Sequence, residues 1–146
     1  MKTFRFRLEK ILQLRSFYEE QAKIELGRCN REVEKIKNVL KQIASEKVLT
    51  RRAMGFNDFN LQDFLASETY LKNLDAKKEI FLERLVTAEL KVEKARKEFI
   101  AASQKRKILT KLKEKQALQW KKERQQEEDA ILDDIVNSKT VRERFL

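Results

Sequence analysis

The sequence predicts an all-α protein: a long antiparallel two-helix coiled-coil hairpin with an overhanging C-terminal helix. Apolar residues recur every seven positions along two long stretches, and the 146-residue chain has no proline and only two glycines. A seven-residue repeat keeps one stripe of a helix against a partner helix when the two supercoil left-handedly. Charged residues make up 40 % of the chain, too many for an ordinary globular interior. We therefore expect a single coiled-coil domain over residues 1–146.

The first helix is predicted over residues 4–52, with Thr3 as its cap. Seven-residue spacing aligns two rows that would face the second helix. The rows are apolar between residues 22 and 43 and polar around Arg15 and Glu19, so the pairing should be firmest in the middle. They read Leu8, Arg15, Ala22, Cys29, Ile36, Ile43 and Leu12, Glu19, Leu26, Val33, Leu40, Lys47.

The hinge is predicted at residues 53–60. At Gly55 a left-handed backbone conformation costs least, and Asn57, Asp58 and Asn60 are suitable N-caps for a following helix. A connection this short makes the two helices antiparallel neighbours. Aromatic residues cluster here, and they either form a small core at the tip or dock onto another protein: Phe56, Phe59, Phe64 and Tyr70.

The second helix is predicted over residues 61–136, followed by a C-terminal tail at 137–146. Folding about Gly55 would pair the start of the first helix with about residue 105, leaving roughly 30 residues, or roughly 45 Å, as an overhang. An isolated helix is only marginally stable, so residues 110–146 should order fully against a partner, unless Glu and Lys pairs along the helix support it. The two rows read Phe64, Leu71, Lys78, Leu85, Val92, Phe99, Arg106 and Leu74, Phe81, Ala88, Ala95, Ala102, Leu109.

Aromatic residues also occur at the open end of the predicted hairpin. Phe4 and Phe6 are expected to cap this end. Trp120, which lies among lysines and arginines on the overhang, either packs partially or anchors an interface.

Positive charge is unevenly distributed along the chain. The net charge is +10, and residues 105–124 hold nine lysines or arginines against two glutamates. Five acidic residues follow between residues 127 and 134. Such a chain attracts polyanions in general: nucleic acid, an anionic lipid surface or an acidic protein face.

The composition argues against catalysis. The chain has no histidine, one cysteine and no glycine-rich phosphate loop, so it lacks the usual general base, a structural zinc site and a nucleotide site. We expect no enzyme activity, no cofactor and no metal. Cys29 should act as a small apolar residue in a reducing compartment. The sequence shows neither a signal peptide nor a membrane span.

Several segments carry a resemblance to a known family. The chain opens with Phe-Arg-Phe-Arg-Leu at residues 4–8 and Ile-Leu-Gln-Leu-Arg at residues 11–15. Glu-Glu-Gln-Ala at 19–22, Leu-Gly at 26–27, Tyr-Leu-Lys-Asn-Leu at 70–74 and the acidic stretch at 127–134 follow. In these features the chain resembles the flagellar FliJ proteins over nearly its whole length.

The resemblance implies a non-enzymatic stalk of the flagellar type III export apparatus, similar to the coiled coil of the gamma subunit of rotary ATP synthases. The implied partners are a FliI-like export ATPase hexamer, a FlhA-like export gate protein and export chaperones, with no direct membrane insertion. The implied location is cytoplasmic, peripherally associated with the inner membrane at the flagellar base. It implies gate contacts at Ile43, Tyr70 and Leu74. It implies ATPase contacts at Arg5, Arg7, Lys10, Arg15, Lys111, Lys115, Lys121 and Lys122.

Three other hypotheses remain open at this point. The chain has the architecture expected of the equivalent stalk of a virulence injectisome. Its charge also permits a basic coiled coil that binds nucleic acid, although acidic residues are interspersed and no recognised nucleic-acid module is present. A dimerising coiled coil without a hinge is the third.

Overall fold

The structure is a computed structural model that describes residues 3–55 and 60–145. It contains two α-helices, α1 at Glu9–Met54 and α2 at Leu61–Phe145, packed together as an all-α hairpin. This confirms the predicted fold class. Contacts divide the chain into two units: Met1–Glu19 with Ala102–Leu146, which we call the terminal unit, and Glu20–Ala101, the hinge unit. That the whole chain is one domain stays a prediction.

The seven-residue rows form the core of the hinge unit. The side chains buried there all belong to the predicted rows: Cys29, Val33, Ile43, Leu74, Ala88 and Ala95. Two row members near the start of α2, Phe64 and Lys78, are exposed. Small residues such as Ala88 and Ala95 let the helix backbones approach closely, so this part of the core is thin.

The first helix begins five residues later than predicted. Residues 3–8 are not helical, and α1 starts at Glu9, whose backbone N–H donates to the carbonyl of Phe6 over 3.2 Å. Thr3 therefore does not cap the helix. The side chain of Phe6 within this non-helical segment is buried, and Glu9 in the first turn suits the positive end of the helix dipole.

The C-terminal end of α1 differs from the prediction, and one of the three predicted N-caps is observed at the start of α2. Gly55 does not take a positive φ angle; its N–H donates to the carbonyl of Arg52 over 3.1 Å, which tightens the last turn of α1. Asn60 is the N-cap of α2, because its side-chain oxygen accepts from the N–H of Asp63 at 2.7 Å. The other two predicted caps, Asn57 and Asp58, lie outside the described residues.

The second helix continues through the predicted break at residues 137–140. The hydroxyl of Thr140 donates to the carbonyl of Val136 over 2.9 Å, and no glycine or proline interrupts the stretch up to Phe145. Because these residues keep their backbone hydrogen bonds, α2 reaches Phe145 without a separate tail element.

The overhang is shorter than predicted. Pairing in the terminal unit continues to Trp120, and only residues 125–145 are uniformly exposed, about 31 Å of helix. The midpoint between the end of α1 at Met54 and the start of α2 at Leu61 lies beyond Gly55. Each residue of α1 therefore pairs with a later residue of α2 than folding about Gly55 predicts. Residues 3–8 are not helical, and backbone outside an α-helix can advance further per residue than backbone within one.

Candidate protein-interaction surfaces

Two ion pairs link α1 to α2 in the terminal unit. Arg106 donates to the carboxylate of Glu19 over 2.5 Å and to the hydroxyl of Thr110 over 3.2 Å. Lys113 pairs with Glu9 over 2.8 Å. Glu19 and Arg106 were polar positions within the predicted apolar rows, and they satisfy each other. A polar pair at such a position favours one register of the two helices.

Aromatic residues close the end of the terminal unit. Phe6 is buried, and the ring of Phe4 lies 6.1 Å from the ring of Trp120 at 51°. The guanidinium of Arg124 lies over the Trp120 ring at 5.4 Å, a distance at which cation–π attraction operates. Trp120 therefore packs within the unit, and only part of its surface is exposed.

The cations predicted to contact the ATPase all lie in the terminal unit. Seven of the eight are exposed and Arg15 is half-buried. No described residue forms an ion pair with any of them. Their charge is therefore uncompensated by the fold and is directed at solvent or a partner. The set is Arg5, Arg7, Lys10, Arg15, Lys111, Lys115, Lys121 and Lys122.

The three predicted gate residues have unequal positions in the hinge unit. Ile43 and Leu74 are only 2 % and 5 % exposed, whereas Tyr70 is 43 % exposed. The Tyr70 hydroxyl donates to Glu46 over 2.7 Å. This hydrogen bond to a carboxylate raises the pKa of Tyr70 above its ordinary value. Of the three, only Tyr70 has substantial exposed side-chain surface, and the other two belong to the buried core of the hinge unit.

A second polar contact in the hinge unit escaped the sequence reasoning. Lys47, a member of a predicted row, pairs with Asp75 on α2. The hydrogen bond from Lys47 lowers the pKa of the Asp75 carboxyl. Row position marked Lys47 as inward-facing, but spacing alone does not identify its partner.

Large apolar side chains are exposed near the connection. They lie on the last turns of α1 and the first turns of α2, on both sides of the hinge, and the predicted tip residues Phe56 and Phe59 lie outside the described residues. Exposed apolar side chains grouped along the sequence in this way are a candidate contact for a partner protein. The group consists of Val48, Leu49, Leu61, Phe64 and Leu65.

Side-chain pairs occur at the start of the exposed part of α2. Arg124 pairs with Glu128 over 3.2 Å, and the Gln125 side chain donates to Asp129 over 3.4 Å. Contacts at this spacing stabilise isolated helices. Whether the overhang is held by its own side-chain pairs or orders fully against a partner stays a prediction.

Neither a cluster of metal-binding side chains nor a membrane-spanning helix occurs in the part of the chain that the structure describes. Residues 3–55 and 60–145 contain no group of three or more Cys, Asp or Glu side chains placed to hold a metal ion. In the same residues, neither helix includes a segment long and apolar enough to cross a bilayer.

Comparison with known proteins identifies the family. Neither the curated proteins nor the solved structures include a match to this chain. The family model described as "Flagellar FliJ protein" matches residues 4–144, nearly the entire chain. The chain therefore belongs to the flagellar FliJ family, whose members are non-enzymatic coiled-coil components associated with the flagellar export apparatus.

Proposed function

We propose that this chain is the stalk of the flagellar export apparatus, with its terminal unit inside a FliI-like ATPase hexamer and its hinge unit against a FlhA-like gate protein. In this role it promotes assembly of the ring and couples it to the gate and to export chaperones. It would act at the cytoplasmic face of the inner membrane, at the flagellar base. The observation that carries the proposal is the uncompensated positive charge of the terminal unit.

The size of that charge is set by the sequence. Within the terminal unit, residues 3–19 and 102–124 hold 13 lysines and arginines against four glutamates, a net charge of +9. Residues 125–145, which also belong to this unit, hold three cations against six acidic residues, a net charge of −3. Two of the four glutamates, Glu9 and Glu19, are held in ion pairs with α2. A positive helical pair inside a ring with acidic loops associates quickly and in a defined orientation. Salt should weaken this association.

The ATPase contact is tested by hydrolysis of ATP by the cognate export ATPase, with and without this protein, at low and moderate salt. We expect stimulation together with hexamer formation. Reversing Arg5 and Arg7, or Lys121 and Lys122, to glutamate should abolish both effects. A matched control reverses Lys37 and Lys41, two exposed lysines of the hinge unit that form no ion pair with described residues.

The control distinguishes a contact at particular residues of the terminal unit from a nonspecific effect of the protein's net charge. Each double reversal lowers the net charge by the same amount. Equal loss of stimulation in all three variants would show that only total charge matters. No binding and no stimulation at any salt concentration would remove the stalk proposal.

For the gate, the proposed surface consists of Tyr70 and the exposed apolar group beside the connection. Ile43 and Leu74 would support this surface by packing beneath it. Phe64→Ser with Leu65→Ser should weaken binding to the cytoplasmic part of the gate protein. Val86→Ser with Leu90→Ser removes two exposed apolar side chains elsewhere in the hinge unit and should leave binding unchanged. If the Val86 and Leu90 variant loses binding while the Phe64 and Leu65 variant keeps it, the gate contact lies away from the connection.

Of the alternatives, the family match favours the flagellar system over an injectisome. No observation on the described residues favours nucleic acid as the partner. No surface is assigned to the chaperones.

A further inference from the structure

The outward face of the first turns of α1 carries four large apolar side chains, which we call the outer stripe: Ile11, Leu14, Phe17 and Tyr18. Each is between 43 % and 55 % exposed. Residues 11, 14 and 18 are three and four positions apart, so they share one side of the helix. The rings of Phe17 and Tyr18 lie 5.9 Å apart at 60°. The stripe is therefore a continuous apolar and aromatic surface that the hairpin itself does not cover.

The charges around the outer stripe are mostly positive. Of the three acidic residues between positions 3 and 20, Glu9 and Glu19 are held in ion pairs with α2, and Glu20 is exposed. The cations of the same segment include Arg7 and Lys10, which are exposed and form no ion pair with a described residue. The fold thus engages two of the three acids of this segment with α2 and leaves Arg7 and Lys10 exposed near the start of the apolar stripe.

We propose that the outer stripe adsorbs to an anionic bilayer surface. An amphipathic helix binds the membrane interface by burying apolar and aromatic side chains among the headgroups while its lysines and arginines meet anionic lipid. Phe17 and Tyr18 are side chains suited to that depth, and Arg7 and Lys10 have long stems that keep their charges at headgroup level. The helix lies in the interface and does not cross it.

The shape of the stripe favours lipid over a protein partner. It lies on the convex outside of a helix, with the exposed cations Arg7 and Lys10 near its start, and the exposed Glu20 borders only its far end. A fluid bilayer moulds itself to a convex surface, whereas a protein partner needs a matching concave, acidic one. The inference does not rest on the proposed function. The terminal unit would occupy either the membrane or an ATPase ring, since both use the same part of the chain.

The test is co-sedimentation of the full-length protein with vesicles of phosphatidylcholine alone or mixed with phosphatidylglycerol. We expect binding to the mixed vesicles only, weakened by salt. Leu14→Ser with Phe17→Ser should lower the partition coefficient at least about tenfold with no change in charge. Arg7→Gln with Lys10→Gln should lower it by roughly 10- to 30-fold.

The matched control is Val86→Ser with Leu90→Ser, which removes two side chains that are 59 % and 67 % exposed in the hinge unit. This variant should bind vesicles as the unaltered protein does. Circular dichroism checks that each variant keeps its helix content, which is expected because all the changed positions are exposed.

Two outcomes would overturn the proposal. If mixed vesicles do not bind the protein at low salt, the stripe has no affinity for anionic lipid. If the Leu14 and Phe17 variant binds them as tightly as the unaltered protein, adsorption is a property of net charge alone. Loss of ATPase stimulation in that variant with vesicle binding intact would assign the stripe to a protein contact instead.

Discussion

Removing one partner of the Glu19–Arg106 pair should destabilise the protein, and removing both should not. The two side chains are only 22 % and 27 % exposed, so either one left alone would be a largely covered charge. Breaking a fully buried pair costs about 3–5 kcal/mol, and an exposed pair contributes about 0–1 kcal/mol. Partial exposure places Glu19→Leu and Arg106→Leu between these limits, at about 2 kcal/mol each.

The double variant provides the decisive comparison. With leucine at both positions, the two rows become apolar where residues 19 and 106 meet. The free energy of unfolding should therefore return to at least that of the unaltered protein. Urea unfolding followed by far-ultraviolet circular dichroism measures the change, provided that the m-value is unaltered. The matched control is Arg96→Leu, which breaks an exposed pair with Glu93 and should cost less than about 0.5 kcal/mol.

Two results would refute this reasoning. Single variants within about 0.5 kcal/mol of the unaltered protein would mean that water already solvates the pair. A double variant less stable than either single one would mean that the pair contributes more than an apolar layer does.

Three further predictions concern the hinge unit. In a Tyr18→Phe background, where Tyr70 is the remaining tyrosine, the pKa of Tyr70 should lie above its ordinary value because its hydroxyl donates to Glu46. The stability that this hydrogen bond contributes is present below about pH 10 and is lost as the pH rises through the raised pKa. Ultraviolet titration should show the pKa of Tyr70 falling back towards its ordinary value when Glu46→Gln is added. Ile43→Ala should cost about 2–3 kcal/mol in urea unfolding, and a cost below about 1 kcal/mol would contradict its buried position. The Cys29 thiol, 4 % exposed, should react with a disulfide reagent at least about 100-fold more slowly in the native protein than in urea; comparable rates would show that the core opens readily.

The sequence was sufficient to predict the hairpin because a seven-residue repeat determines which side chains face a partner helix. Ile43, Leu74, Ala88 and Ala95 were identified in this way, and all are buried. Spacing also placed Glu19 and Arg106 in the rows, but their pairing depends on the register of α1 on α2, which a repeat leaves open in steps of one turn.

The helix ends and the candidate surfaces were harder to predict. The late start of α1 accompanies the burial of Phe6 and the contact of Phe4 with Trp120 on α2, tertiary effects that local preferences do not contain. The apolar residues of the outer stripe at positions 11, 14 and 18 can be read from the sequence. They lie beside the longer seven-residue repeat of the rows, and that repeat determined the prediction. Only the structure shows that Glu9 and Glu19 turn away from it.

The contact between Phe4 and Trp120 gives the protein a built-in optical reporter. Trp120 is the only tryptophan in the chain, and its ring lies 6.1 Å from a residue of the non-helical opening segment. Detachment of that segment would change the environment of the indole while leaving the helix content almost untouched. Indole fluorescence and circular dichroism should therefore separate release of the first residues from unfolding of the hairpin, without any added label.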